Sequence, residues 1–330
     1  MRLAIVSDIH YAGPGECARA PRLLDPVSPL RRVFLRQFRH WIWQRDPTAH
    51  NDLLPRFIAG AATHDAAIAL GDYSCDLAGI GLADDDAHAS AQACLQSLRS
   101  AFGDRLHLTL GDHELGKKML GANAGGLRLA SYERATRDLG IPPVWRREVG
   151  PHVLLGITST LWAMPIYLAE ALPDERAAWL ELAEAHRTAV RAEFARLQPR
   201  QRVILFCHDP TALPFLRQDE VIRSRLGQVA LTLIGHLHSP LILRLAEKLA
   251  GLPPVRGLGH TPRRLTTALR QARDWKPFHV RLCPSPSGMQ LLKDGGWLSL
   301  ELDSDTIRTV FHPLPWPPPP ASSRGAGPRA

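Results

Sequence analysis

The chain has 330 residues, 45% of them hydrophobic, and a formal net charge of +8. It is long enough for one large layered domain, and no stretch approaches the roughly 20 unbroken apolar residues of a membrane-spanning helix. Its five cysteines are scattered without a C-x-x-C pair, which argues against a disulfide framework or thiolate zinc site, and for free thiols in a reducing compartment.

The first residues, Met1 to Asp8, are apolar too briefly for a secretory signal, so a cytoplasmic location is expected. The positive charge favours anionic partners without choosing among them. Strands are predicted at 3–7, 66–70, 106–110, 153–157, 203–207 and 230–234, where short apolar runs alternate with amphipathic segments. This is the pattern of an α/β layered fold.

Between the first two strands, residues 31–45 carry Phe34, Phe38, Trp41 and Ile42 among arginines. At helical spacing these four fall near one face. Two readings stand: a helix lying on a membrane surface, at the inner face of the bilayer, or an inserted cap over 31–60 that packs its aromatic face on the core. A core-covering helix is predicted at 174–197, with Trp179, Leu180, Leu182, Ala183, Val190 and Phe194 at mostly three- and four-residue steps. After 238 an Arg- and Leu-rich helical region leads into strands at 278–282, 289–292, 297–302 and 306–311, expected to add antiparallel to the sheet. Residues 1–312 are read as one catalytic domain, and 313–330, rich in Pro, Ser, Gly, Ala and Arg, as a disordered tail.

Acids and imidazoles follow the predicted strands. Asp8-Ile9-His10 comes after the first, Gly71-Asp72 after the second and Gly111-Asp112-His113-Glu114 after the third; Cys207-His208-Asp209 and Gly235-His236-Leu237-His238 close two later ones. Ligands of open α/β sheets bind at the carboxyl ends of the strands, so these loops are expected to converge. Asp8, His10, Asp72, Asp112, His208, His236 and His238 then offer three carboxylates and four imidazoles. Such a mixture suits manganese, iron or zinc better than calcium or copper(I); the donors do not choose among the three, and manganese is taken as the expectation. Cys207 reads as a small buried hydrophobe, Asp76 as a cap or a second-layer support, and Lys117 and Lys118 as a solvated loop or a contact for substrate phosphate. His40, His64, His88 and His186 are given no role.

The ordered set D-x-H, G-D, G-(N/D)-H-E, H and G-H-x-H, spread over about two thirds of the chain, resembles the calcineurin-like metallophosphoesterase superfamily. The resemblance implies an α/β/β/α sandwich of two mixed sheets flanked by helices. It also implies one metal on Asp8, His10 and His238, a second on Asp112, His208 and His236, and Asp72 bridging them. A metal-bridging hydroxide would attack phosphorus, with His113 as the catalytic histidine.

The chain departs from the pattern at Asp112, where the family has asparagine. A carboxylate there adds negative charge, which should turn away a dianionic monoester and favour a phosphodiester or pyrophosphate, nucleotide- or lipid-linked. A non-catalytic metal-binding scaffold that retains the fold is the alternative. Nucleic acid is ranked low as a partner, because aromatic and basic residues interleave little outside 31–45.

Overall fold

The computed structural model describes residues 1–22, 28–44, 46–118, 125–248 and 272–315. Among the described residues ten strands form two five-stranded sheets. The first contains β1 (Arg2–Val6), β2 (Ala66–Ala69), β3 (Leu106–Leu108), β9 (Gly296–Leu302) and β10 (Ile307–Pro313), in the order β10-β9-β1-β2-β3. The second contains β4 (Val144–Val149), β5 (His152–Ile157), β6 (Arg202–Cys207), β7 (Val229–Ile234) and β8 (Val280–Leu282), in chain order.

Each sheet is mixed. β1, β2 and β3 run parallel, with β9 and β10 antiparallel at one edge; β5 to β8 run parallel, with β4 antiparallel at the other sheet's edge. The central strands are apolar on both faces because both faces are covered. On β1, Leu3 and Ile5 join Ile68, Ile204, Phe206, Leu233 and Leu300 in a core between the sheets. Ala4 and Val6 point the other way, toward Leu54, Phe57, Leu95 and Phe102 of the helices Leu53–Ala61 and Asp85–Phe102. On β6, Val203 and Leu205 meet Val190 and Phe194 of the helix Arg176–Ala195. The result is helix, sheet, sheet, helix, the sandwich expected.

Several local expectations change. The edge strand β4 was not foreseen: Arg146 and Arg147 interrupt its apolar run, as charges commonly do on an edge. β8 begins after a 3-10 helix, Ala272–Phe278, and pairs parallel to β7, not antiparallel. Residues 289–292 form a turn instead of a strand, because the amides of Leu292 and Lys293 close back on the Met289 carbonyl at 3.0 and 2.7 Å. Pro313 ends β10 and Leu314 is buried, so the chain stays ordered slightly past 312; 316–330 lies outside the described residues. The helix predicted at 174–197 spans Arg176–Ala195 behind a 3-10 turn, Pro173–Glu175.

The helix Pro29–Trp41 does not present the four predicted residues on one packed face. Leu35 is buried and Phe38 half-buried, whereas Phe34 and Trp41 are exposed. Among the described residues no helix is long and apolar enough to cross a membrane.

Candidate metal centre

The loops after β1, β2, β3, β6 and β7 meet at the carboxyl ends of the parallel strands of both sheets. Backbone pairing carries β1 and β2 past their ends, with the amides of Asp8, His10 and Tyr11 donating to the carbonyls of Gly71, Asp72 and Tyr73 at 3.1, 3.0 and 2.9 Å. Across the sandwich the His236 amide donates to both oxygens of the Asp8 carboxylate at 3.0 Å. These bonds lock the two sheets together at this spot.

Two sets of side chains could each hold an ion: Asp72, Asp112, His208 and His236, and Asp8, His10 and His238. In the first, His208 Nε2 lies 3.2 Å from Asp72 Oδ2 and 3.4 Å from Asp112 Oδ1, and His236 Nδ1 lies 3.2 Å from Asp112 Oδ1. In the second, His10 Nε2 and His238 Nε2 are 3.3 Å apart, and Asp8 Oδ1 is 3.5 Å from His238 Nε2 and 4.0 Å from His10 Nε2. Donors bound at ~2.1 Å in tetrahedral geometry lie ~3.4 Å from one another. The observed spacings therefore suit shared cations. A third set, His10, Asp72 and His113, links the other two. All seven predicted ligands and His113 are thus brought together.

The imidazoles are oriented for the task. His10 Nδ1 pairs with the Ser74 carbonyl at 3.2 Å and His208 Nδ1 with the Leu70 carbonyl at 2.9 Å, which directs Nε2 of each ring inward. His113 Nδ1 pairs with the Cys75 carbonyl at 2.9 Å, and its Nε2 sits 3.8 Å from Asp72 Oδ2.

The backbone is held in an unusual conformation here. Asp8, His10, Asp72, His236 and His238 all have φ between 49° and 62°, a left-handed region uncommon for any residue but glycine, which Asp and His tolerate better than most. Strain of this kind gathers at functional sites. Gly71, with φ of 112°, packs so closely that a Cβ would meet Gly111 N at 2.4 Å, and a Cβ on Gly235 would lie 1.9 Å from Ser7 Oγ and 2.6 Å from Asp8 Oδ2. The bare backbone at these two points lets the ligand loops close.

The electrostatics call for cations. Asp8, Asp72 and Asp112 are fully buried, and buried carboxylates need positive partners. Burial pushes the Asp8 carboxyl above its usual range. For Asp72 the same burial is outweighed by His208 and His113, and for Asp112 by Lys117 and His236, so both stay well below that range. Against its own burial, His208 is held well above the ordinary histidine value by Asp72 and Asp8. The carboxylates thus draw positive charge toward His208, charge that a metal ion at the same place would supply.

Four supports carried no role at the metal centre in the sequence reading. Glu114 accepts from the amides of Gly111, Asp72 and Tyr73 at 2.9, 2.9 and 2.8 Å, tying the two Gly-Asp loops together, and burial pushes it up to about 7. Its place in the G-D-H-E run was the available signal. Asp209 takes a short hydrogen bond from the Tyr167 hydroxyl behind His208, and Trp43 sets its ring 4.6 Å from that of His238. Glu16 accepts the Leu77 amide at 3.1 Å; neither it nor Trp43 had a signal in spacing. Asp76 accepts the Gly81 amide at 2.9 Å and acts as a loop staple, and Cys207 is buried. Lys117 is no solvated loop residue: its Nζ lies 3.1 Å from Asp112 Oδ2, opposite the oxygen that faces His208 and His236. No known protein-family model and no curated protein matches the chain.

Proposed function

We propose that this chain is a metal-dependent phosphoesterase of the calcineurin-like type, acting on a phosphodiester or pyrophosphate bond. The observation that carries the reading is the donor spacing of 3.2 to 4.0 Å among seven side chains from five strand ends. Asp8, His10 and His238 would hold one divalent ion, Asp112, His208 and His236 a second, and Asp72 both; manganese, iron or zinc fits these donors. Such ions would supply Lewis acidity at phosphoryl oxygens and make water a better nucleophile at neutral pH.

The protein's own groups would orient the ester and manage its proton. His113 keeps Nδ1 on the Cys75 carbonyl, so Nε2 is the atom that exchanges a proton at the edge of the centre. Burial and then the Lys117 cation hold the free ring well below the ordinary histidine value. An anion arriving beside it raises its proton affinity, which prepares it to protonate a leaving oxygen. Lys117 offsets part of the charge that Asp112 adds, so the preference for diesters over monoesters is expected to be graded and not absolute.

The test is metal analysis of the purified protein, followed by hydrolysis of bis-p-nitrophenyl phosphate and p-nitrophenyl phosphate. Close to two ions per chain are expected, with activity removed by a chelator, restored by manganese and abolished by Asp72→Asn. Full metal occupancy without hydrolysis of any ester would leave a metal-binding scaffold and overturn the proposal.

A further inference from the structure

We infer that the outer face of the helix Pro29–Trp41 is a docking surface for a membrane containing anionic lipid. Leu30, Val33, Phe34 and Trp41 lie on one face at steps of three, four and seven, and are 86%, 59%, 66% and 62% exposed. The inner face does the packing, with Leu35 buried and Phe38 stacked at 6.4 Å on Trp43. The helix is therefore apolar on two sides, and the fold uses one. Leu291, also exposed, extends the outer patch: its amide donates to the Ile42 carbonyl at 3.3 Å.

Charge selects the occupant. The helix sequence contains Arg31, Arg32, Arg36, Arg39 and His40 and no acidic residue, and Arg36 is exposed beside the apolar stripe. A second copy of the chain would set one exposed Arg36 near another, with no acidic residue on either helix to pair with it. An anionic bilayer receives both parts, the apolar side chains in the acyl boundary and Arg36 among the headgroups. The face is also one helix standing on the surface, a shape suited to a deformable lipid interface. Through Trp43, whose ring lies 4.6 Å from that of His238, the docking helix adjoins the metal centre. Docking itself does not depend on hydrolysis.

The experiment is flotation of the full chain with vesicles of phosphatidylcholine alone and of phosphatidylcholine mixed with phosphatidylglycerol. Wild type should float with the mixed vesicles and not with phosphatidylcholine, and salt should weaken it. Leu30→Gln/Phe34→Gln should reduce partitioning by at least about tenfold with an unchanged melting temperature, as expected when two large apolar side chains no longer insert. Leu180→Gln, at an exposed apolar position on another helix, should leave it unchanged. Absence of flotation, equal flotation without anionic lipid, loss with Leu180→Gln as well, or a dimer in solution that Leu30→Gln/Phe34→Gln dissolves would each overturn the inference.

Discussion

Replacing Lys117 by Met should tighten metal binding and weaken anion binding. The ammonium stands 3.1 Å from Asp112 Oδ2, where the attraction is about 1.3 kcal/mol at the dielectric of water and about 5 kcal/mol at an effective value of ~20. The lysine side chain is 22% exposed and Asp112 is fully buried, so a working value of ~1.5 kcal/mol is taken from the low end. Removing the cation returns that much negative potential to the ligand set. Manganese affinity should rise about tenfold, since ~1.4 kcal/mol is a factor of ten, while inhibition by inorganic phosphate weakens by a similar factor. The metal-free protein should melt lower, because Asp112 loses a partner. Asp112→Asn should weaken manganese binding, and Asp112→Asn/Lys117→Met should fall between the single variants. Calorimetric titration with manganese, and phosphate inhibition of ester hydrolysis, read the two effects. If Lys117→Met weakens both metal and phosphate, the lysine serves only as packing and the charge-compensation argument fails.

His186 is buried on the inner face of the helix Arg176–Ala195, and burial, with Arg187 adding to it, depresses its ring to about 3. The unfolded chain takes up that proton near pH 6.5 and the folded chain does not, so the stability conferred by a neutral ring is complete above pH 6.5 and is lost as pH falls toward 3. His186→Phe should therefore gain about 2 kcal/mol relative to wild type between pH 6.5 and pH 5 in urea unfolding, at ~1.4 kcal/mol per pH unit; parallel pH profiles would refute this. Gly235→Ala would drive a methyl against Ser7 and Asp8. It should cost about 1–3 kcal/mol in a thermal melt and weaken manganese binding, and wild-type affinity in that variant would show that the close approach is dispensable.

The strand ends were legible because the sequence separates two demands. Runs such as Leu3 to Val6 and Val203 to Cys207 are apolar at successive positions, which only strands covered on both faces require. Asp and His placed directly after them satisfy no packing need, so their order pointed to a centre. Features that depend on neighbours distant in sequence were not legible. Lys117 belongs to an unremarkable Lys-Lys pair until the fold sets it beside Asp112. Helical spacing placed Phe34 and Trp41 on an apolar stripe of Pro29–Trp41 but could not say which side the core takes; Leu35 and Phe38 took that role. His186 reads as a surface residue by type, yet its helix turns it inward beside Trp179, Val190 and Phe194.

The centre is expensive before any ligand arrives. Five of its seven donors occupy left-handed backbone, at roughly 1–2 kcal/mol each for ordinary L-residues and less for Asp and His. Three carboxylates are withdrawn from water beside one another. Packing alone would not select such an arrangement, since apolar residues at these strand ends would fill the space without strain or buried charge. The surrounding structure over-determines it instead: Glu114 clamps three amides, the His236 amide clamps Asp8, and two glycines admit the neighbouring loops. These supports lie on different loops and act on different ligands, yet all of them fix donor atoms at the separations that a common cation requires. It is this agreement, more than any single residue, that makes a place for a metal ion the economical account of why the strand ends are built as they are.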